Sequence, residues 1–146
     1  MYDTFVSRSR YGDQLEIQSG MSEAVIESFG MVPPGGEGSP PIFLETKIPC
    51  GPDYATATSN LNANLEQLGV ASVDLTLMHS PCRGETATDD TADTWRAMEG
   101  LLDAGKTRAI GVSNFDVKQL KSLAETSVHA PSLMQSKLSV VHHGAT

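Results

Sequence analysis

Basic residues are scarce in this chain. Ten Lys and Arg stand against eighteen Asp and Glu, and the formal net charge is −8. Nucleic acid and anionic membrane both attract basic surfaces, so neither is an expected partner. Long apolar runs are missing as well: no stretch reaches the about 18 residues that mark a membrane-spanning helix. Met1 to Arg10 has no apolar centre of signal-peptide type, and the cytoplasm is the expected location. Two cysteines, Cys50 and Cys82, are too few for a disulfide framework and are read as ordinary reduced thiols. There is no CxxC pair and no HExxH, so no metal site is expected.

The composition that is present, 39% hydrophobic and 19% charged over 146 residues, suits one globular domain with a real core. No sequence repeat occurs; what recurs is a kind of element. Tyr2, Phe5 and Val6 form a short apolar run. Ile17, Met21, Val25 and Phe29 then recur every fourth residue as a helix stripe, weakened by Gly20. Residues 30–41 form a loop rich in Pro and Gly, where Pro33-Pro34-Gly35-Gly36 cannot continue a helix. Pro41 to Lys47 reads as a strand. Tyr54 to Leu68 reads as a helix with Leu61, Leu65 and Leu68 on one face, Asp53 as N-cap and Gly69 as stop.

Val73 to His79 is a clear strand, with Val73, Leu75 and Leu77 on one face and Asp74, Thr76 and Met78 on the other. A helix from about Thr91 to Ala104 carries Trp95, Met98, Leu101 and Leu102 and ends at Gly105. Thr107 to Val112 is a short strand. Asp116 caps a helix with Val117, Leu120, Leu123 and Ala124 on its stripe, and Ser132 to Val141 reads as a last strand. Strand and helix alternate throughout, which implies a parallel sheet with right-handed crossovers. A doubly wound open sheet and part of a (β/α)8 barrel both fit. The first would want GxGxxG after its first strand, and the chain has none. The second usually takes about 250 residues.

In parallel α/β folds, functional groups gather where strands end. The polar residues there are Asp3 and Tyr11 near the first run, Lys47, His79, Ser113 with Asn114, and Gln135. Each alone has an ordinary role open to it. A strand-end Lys can be a solvated charge, a His before Ser-Pro a turn residue, a Tyr a packed aromatic. Ser-Asn before a helix can cap it, and a strand Gln can satisfy a backbone group. Their joint placement at strand ends is what sets them apart.

Longer motifs narrow the choice. Thr94 to Phe115, with Gly105-Lys106 closing a helix and Arg108-Ala-Ile-Gly-Val-Ser-Asn-Phe115 following, resembles the signature of the aldo-keto reductase superfamily. Leu65-Glu-Gln-Leu-Gly leading to Val73-Asp-Leu-Thr-Leu-Met-His-Ser-Pro81 resembles that family's Leu-Gly…Asp-Leu…His-x-Pro segment. Ile42-Phe-Leu-Glu-Thr-Lys47 resembles its Phe-x-x-Thr-Lys strand, and Tyr11-Gly-Asp-Gln14 its Tyr-Gly-Asn-Glu. The resemblance runs from about Asp3 to Gln135.

It implies a partial (β/α)8 barrel of about five parallel strands, and a Tyr, Lys, Asp and His tetrad. Tyr11 would be the general acid that protonates a carbonyl oxygen. An ordinary phenol, with a pKa of about 10, donates poorly at neutral pH, and Lys47 as a near cation would favour the phenolate. Asp3 would hold Lys47, and His79 would polarise the substrate oxygen. Ser113, Asn114 and Gln135 would grip the carboxamide of a nicotinamide cofactor, NADPH by family expectation. A small carbonyl compound would be the substrate; the oligomeric state is left open.

Some features depart from the family pattern. Asp3 lies eight residues before Tyr11, a longer interval than the family's. Met134 stands where the family has Asn before the strand Gln. A strand and helix before Asp3, and the last two barrel strands with the cofactor-phosphate site after Thr146, are not found. The expectation is therefore a single incomplete barrel domain over 1–146. A non-catalytic fragment, or a regulatory or interaction module on the same fold, stays open beside the reductase.

Overall fold

A computed structural model of the protein describes the main chain of residues 4–8 and, with side chains, residues 43–51, 53–85 and 87–136. Asp3, Tyr11, the expected helix over Ile17 to Phe29, the loop 30–41 and the end of the last expected strand lie outside the described residues. The elements are β1 (Thr4–Arg8), β2 (Phe43–Ile48), α1 (Tyr54–Leu68), β3 (Leu75–Met78), α2 (Ala87–Asp103), β4 (Ile110–Ser113), α3 (Val117–Thr126) and β5 (Met134–Gln135).

The helices end where local chemistry ends them. The Asp53 carboxylate accepts from the Thr56 N–H at 2.7 Å, which satisfies one of the donors that a helix start leaves open. Those hydrogen bonds from Thr56 hold the exposed Asp53 carboxyl below the usual carboxylate range. Gly69 closes α1 in the left-handed conformation at φ 68°. Its N–H donates to the Glu66 carbonyl and the Val70 N–H to the Leu65 carbonyl, both at 3.1 Å, a Schellman closure. Gly105, at φ 69°, closes α2 with the same pair of bonds, to Leu102 and Leu101. At α3 the Asp116 carboxylate accepts from the Gln119 N–H, and the Gln119 side chain accepts from the Asp116 N–H. That reciprocal pair is a capping box.

All strand pairs are parallel, and the five strands stand in the sheet in chain order, β1-β2-β3-β4-β5. Sequential order, with helices joining β2 to β3, β3 to β4 and β4 to β5, is the pattern of a singly wound sheet, in which every strand ends on the same edge. Strand alternation sorts the side chains. Leu44 and Ile48 of β2, Met78 of β3 and Ile110 and Val112 of β4 pack with the helices in one buried cluster. Ala57, Leu61, Leu65 and Leu68 of α1, Trp95, Ala97, Met98 and Leu101 of α2 and Leu123 of α3 complete it. Each such Leu or Met removed from water stabilises the fold by about 2 kcal/mol. The opposite face carries Glu45, Lys47, Leu75, Leu77, Gly111 and Ser113.

Polar groups tie the layers together. Asn64 of α1, buried against the sheet, donates to the Thr46 hydroxyl at 2.9 Å and to the Lys47 carbonyl at 3.3 Å. The Trp95 indole N–H donates to the His129 carbonyl at 3.1 Å. The buried Glu99 carboxylate accepts from the Val128 and His129 N–H groups, both at 2.7 Å, so α2 fixes the chain that leaves α3.

The expected elements need adjustment in several places: strand β4 begins at Ile110 rather than Thr107, and β5 at Met134 rather than Ser132. Strand β3 begins at Leu75, because the Leu44 N–H is taken by the Asp74 carboxylate rather than by a ladder carbonyl. Val73 instead makes an isolated parallel bridge with Thr107, and its side chain joins the cluster that holds Met78, so it does not share the face of Leu75 and Leu77. Helix α2 starts at Ala87, a turn ahead of Thr91, in a polar stretch that carries no apolar stripe. On α3, Val117 is 57% exposed and Ala124 is exposed, while Leu123 is buried. No helix among the described residues is long and apolar enough to cross a membrane.

Candidate active site

Four neighbouring parallel strands bring candidate residues to one edge. Lys47 is the penultimate residue of β2, and His79 follows β3 directly. Ser113 closes β4 with Asn114 behind it, and Gln135 closes β5. The registers Ile48↔Met78, Met78↔Val112 and Ser113↔Gln135 keep these ends level. Lys47, His79, Ser113, Asn114 and Gln135 therefore share the carboxyl edge of the sheet. Tyr11 and Asp3, the expected acid and the expected partner of Lys47, lie outside the described residues.

Lys47 is buried, with its ammonium on the face away from the helices. The Glu45 carboxylate, two residues earlier and on the same face, stands 3.4 Å from the ammonium nitrogen. Gln135 bridges the two: its Oε1 accepts from Lys47 Nζ, and its Nε2 donates to Glu45 Oε1 at 3.3 Å. Gln135 was expected to hold a cofactor amide. In the structure its amide is engaged with Lys47 and Glu45. Glu45 escaped the sequence reading, although a signal for it existed: opposite charges two apart in an apolar strand must share a face.

The second half of the site is built by a strained residue. Asn114 has φ 60°, the left-handed region that Asn tolerates better than most side chains. This turn lets its N–H donate to the Gln135 carbonyl at 3.0 Å. Its side-chain Nδ2 lies 2.9 Å from the His79 carbonyl and 3.1 Å from the Ser113 hydroxyl. Both amide protons are thereby directed inward, and Oδ1 is left as an acceptor. His79 is itself pinned, with its N–H donating to the Ile48 carbonyl at 2.8 Å.

Such a set can hold a carboxamide, which needs an acceptor for its N–H groups and a donor for its oxygen. Asn114 Oδ1 is the acceptor, and the Ser113 hydroxyl can be the donor. Glycine at 111 is what lets β5 come close enough. A Cβ there would lie 2.5 Å from the Leu133 carbonyl oxygen and 2.6 Å from Leu77 Cδ2. Among the described residues no group of His, Cys, Asp and Glu could hold a metal ion.

The reading of Cys50 and Cys82 as separate reduced thiols is corrected by the structure, which joins them in a disulfide with Cα atoms 5.2 Å apart. The cause is topological. The two residues leave the same edge of adjacent strands, two and four residues past a register pair. Helix α2 braces both loops: the Thr94 hydroxyl accepts from the Gly51 N–H at 3.1 Å, and the Thr91 hydroxyl from the Cys82 N–H at 3.0 Å. The disulfide also pulls against the expected cytoplasmic location, where such pairs are usually kept reduced.

Known proteins resemble this chain in sequence and in fold. The model of the aldo/keto reductase family matches residues 16–145. Aldo-keto reductase family 4 member C11 of Arabidopsis thaliana is 36% identical over 141 residues, covering 87% of this chain and 42% of that protein. Protein REDOX 2 of Catharanthus roseus is 30% identical over 152 residues, covering 95% and 45%. Among solved structures, an aldo/keto reductase from Brucella melitensis superposes with a TM-score of 0.76 at 28% identity, covering 94% of this chain and 48% of its own. A Bombyx mori aldo-keto reductase in complex with NADP gives 0.77 at 26%, covering 94% and 44%. The chain spans less than half the length of these relatives, and its sheet is the matching part of a (β/α)8 barrel. With the family model covering all but the first residues and the last, the chain belongs to the aldo/keto reductase family.

Proposed function

We propose that these residues form the catalytic face of a nicotinamide-dependent carbonyl reductase, with NADPH as cofactor and a small aldehyde or ketone as substrate. The observation that carries the reading is the gathering of Lys47, His79, Ser113, Asn114 and Gln135 on one edge of a singly wound parallel sheet. A glyoxal reductase of Bacillus subtilis, 40% identical over 82 residues, is among the relatives and fits the aldehyde class.

The reduced nicotinamide, when bound, supplies the hydride. Ser113 and Asn114 grip and orient its carboxamide through a hydroxyl donor and Asn114 Oδ1. Gln135 is assigned to the same carboxamide through the second proton of its Nε2, the first staying on Glu45. His79, fixed by its N–H bond to Ile48, presents its imidazole to the substrate oxygen and polarises it. Tyr11 delivers the proton to that oxygen, and the Lys47 ammonium makes loss of the phenol proton easier. Asp3 is assigned to Lys47 as well.

Titration of NADPH fluorescence against the protein tests binding, and aldehyde-dependent NADPH oxidation tests turnover. The expected result is a saturable signal weakened in Ser113→Ala and Asn114→Ala. In Tyr11→Phe, turnover should be lost while NADPH affinity is kept. A flat titration refutes the reductase reading. Weaker cofactor binding in Tyr11→Phe removes Tyr11 from the role of acid.

A further inference from the structure

The reading above gives Glu45 no task, yet Glu45 is the carboxylate that the structure places against Lys47. Its side chain is 6% exposed and that of Lys47 3%, with 3.4 Å between charged atoms. The register partners of the two residues on β3 are Leu75 and Leu77, both buried and apolar. Water is thus kept from the pair, and a charge here is costly unless another answers it. The same Glu45 oxygen accepts from Gln135 Nε2, while Gln135 Oε1 accepts from Lys47. The three side chains close a ring: ammonium to amide oxygen, amide nitrogen to carboxylate, carboxylate beside ammonium. An amide has two possible orientations, and this ring selects one: nitrogen toward Glu45, oxygen toward Lys47.

We propose that Glu45 is a positioning residue of the site: its carboxylate holds the Lys47 ammonium in place and sets the direction of the Gln135 amide. The inference rests on Lys47 and Gln135 belonging to the functional edge. It assigns to β2 itself a carboxylate that answers the lysine charge. Removal of the negative charge leaves Lys47 beside an uncharged neighbour that can offer it an N–H instead of an acceptor. The ammonium then loosens, and Gln135 is free to turn over.

The test is nuclear magnetic resonance of the lysine NH3+ groups in the protein, with Lys47→Arg to assign the Lys47 signal. Hydrogen exchange of a held ammonium is slow, and that of a released one is fast. Glu45→Gln keeps the shape and removes the charge; it is expected to speed Lys47 exchange at least about tenfold, as loss of the ion-pair partner of a buried ammonium allows. Glu45→Asp keeps the charge and is expected to restore most of the protection. Equal exchange in wild type and Glu45→Gln overturns the proposal, and so does a Glu45→Asp variant as fast as Glu45→Gln, since packing alone would then matter. Circular dichroism confirms that each variant is folded. If Glu45→Gln does not fold, the Lys47→Met/Glu45→Gln pair decides: recovery of the fold when both charges are gone supports the coupling, and no recovery overturns it. NADPH binding enters none of these readouts, so a chain that fails to bind the cofactor refutes the reductase reading and leaves the role of Glu45 to be judged by exchange.

Discussion

Reduction of the Cys50–Cys82 bond should weaken the fold by an amount that follows from its place in the chain. The link spans 32 residues and encloses α1 and β3. A cross-link of that span removes about 12 cal/mol/K of entropy from the unfolded chain, or about 3.7 kcal/mol at 25 °C. In the folded state the loss is small, because the Thr91 and Thr94 hydroxyls hold both loops against α2 with or without the link. The cost of reduction therefore falls on the unfolded ensemble, and the native spectrum should be unchanged. For a chain of this size the shift is on the order of 10 °C in Tm. Urea denaturation with and without a dithiol reductant measures it, with Cys50→Ser/Cys82→Ser as the permanent equivalent. Mass spectrometry of the oxidised protein should show a chain lighter by two hydrogens than the reduced one. Two thiols that react with a disulfide reagent in the native, air-oxidised protein would refute the pairing. An unchanged urea midpoint on reduction would refute the loop-entropy reasoning.

Two substitutions probe the sheet. Gly111→Ala should destabilise the protein by about 1–3 kcal/mol, because the added carbon meets the Leu133 carbonyl, a backbone atom that cannot step aside; urea unfolding at full stability would show that β5 stands further from β4 than described. Thr76→Val should stabilise by about 1 kcal/mol, since the buried Thr76 hydroxyl has no hydrogen-bond partner among the described residues while its neighbour Thr46 receives Asn64. A clear fall in Tm for Thr76→Val would reveal a bond to that hydroxyl.

Much of the fold could be read from the chain because its signals are local. The start and stop of α1 at Asp53 and Gly69 depend on a carboxylate three residues from an N–H and on a residue free to take φ 68°. Both requirements sit in adjacent letters. The start of α2 was harder. Its first turn, Ala87 to Asp90, has no apolar period, and it is held by the acidic residues Asp89 and Asp90 beside the positive helix end rather than by burial. Val73 misled for a different reason. Alternation assigns faces only inside a strand, and at Asp74 a side-chain carboxylate takes the Leu44 N–H in place of a ladder carbonyl, so counting back from Leu75 crosses a break.

For the site, the divide falls between edges and contacts. In a singly wound parallel sheet, knowing where each strand ends is enough to know which residues share an edge, so Lys47, His79, Ser113, Asn114 and Gln135 could be gathered without coordinates. Who touches whom across that edge depends on curvature, which no residue spacing encodes. A flat sheet would set β2 and β5 about 14 Å apart, three strand spacings. Lys47 and Gln135 nevertheless hydrogen-bond over β3 and β4, so the sheet must curl toward its inner face, as a barrel wall does. The curl has a local requirement in Gly111, where any side chain would strike Leu77 and the backbone of the incoming strand. Gln135 reaches Lys47 and Glu45 only because of this curl. The amide partner of the lysine is thus a property of the bent sheet, and a substitution that flattened the sheet would part Gln135 from Lys47 and Glu45 while leaving the pair within β2 intact.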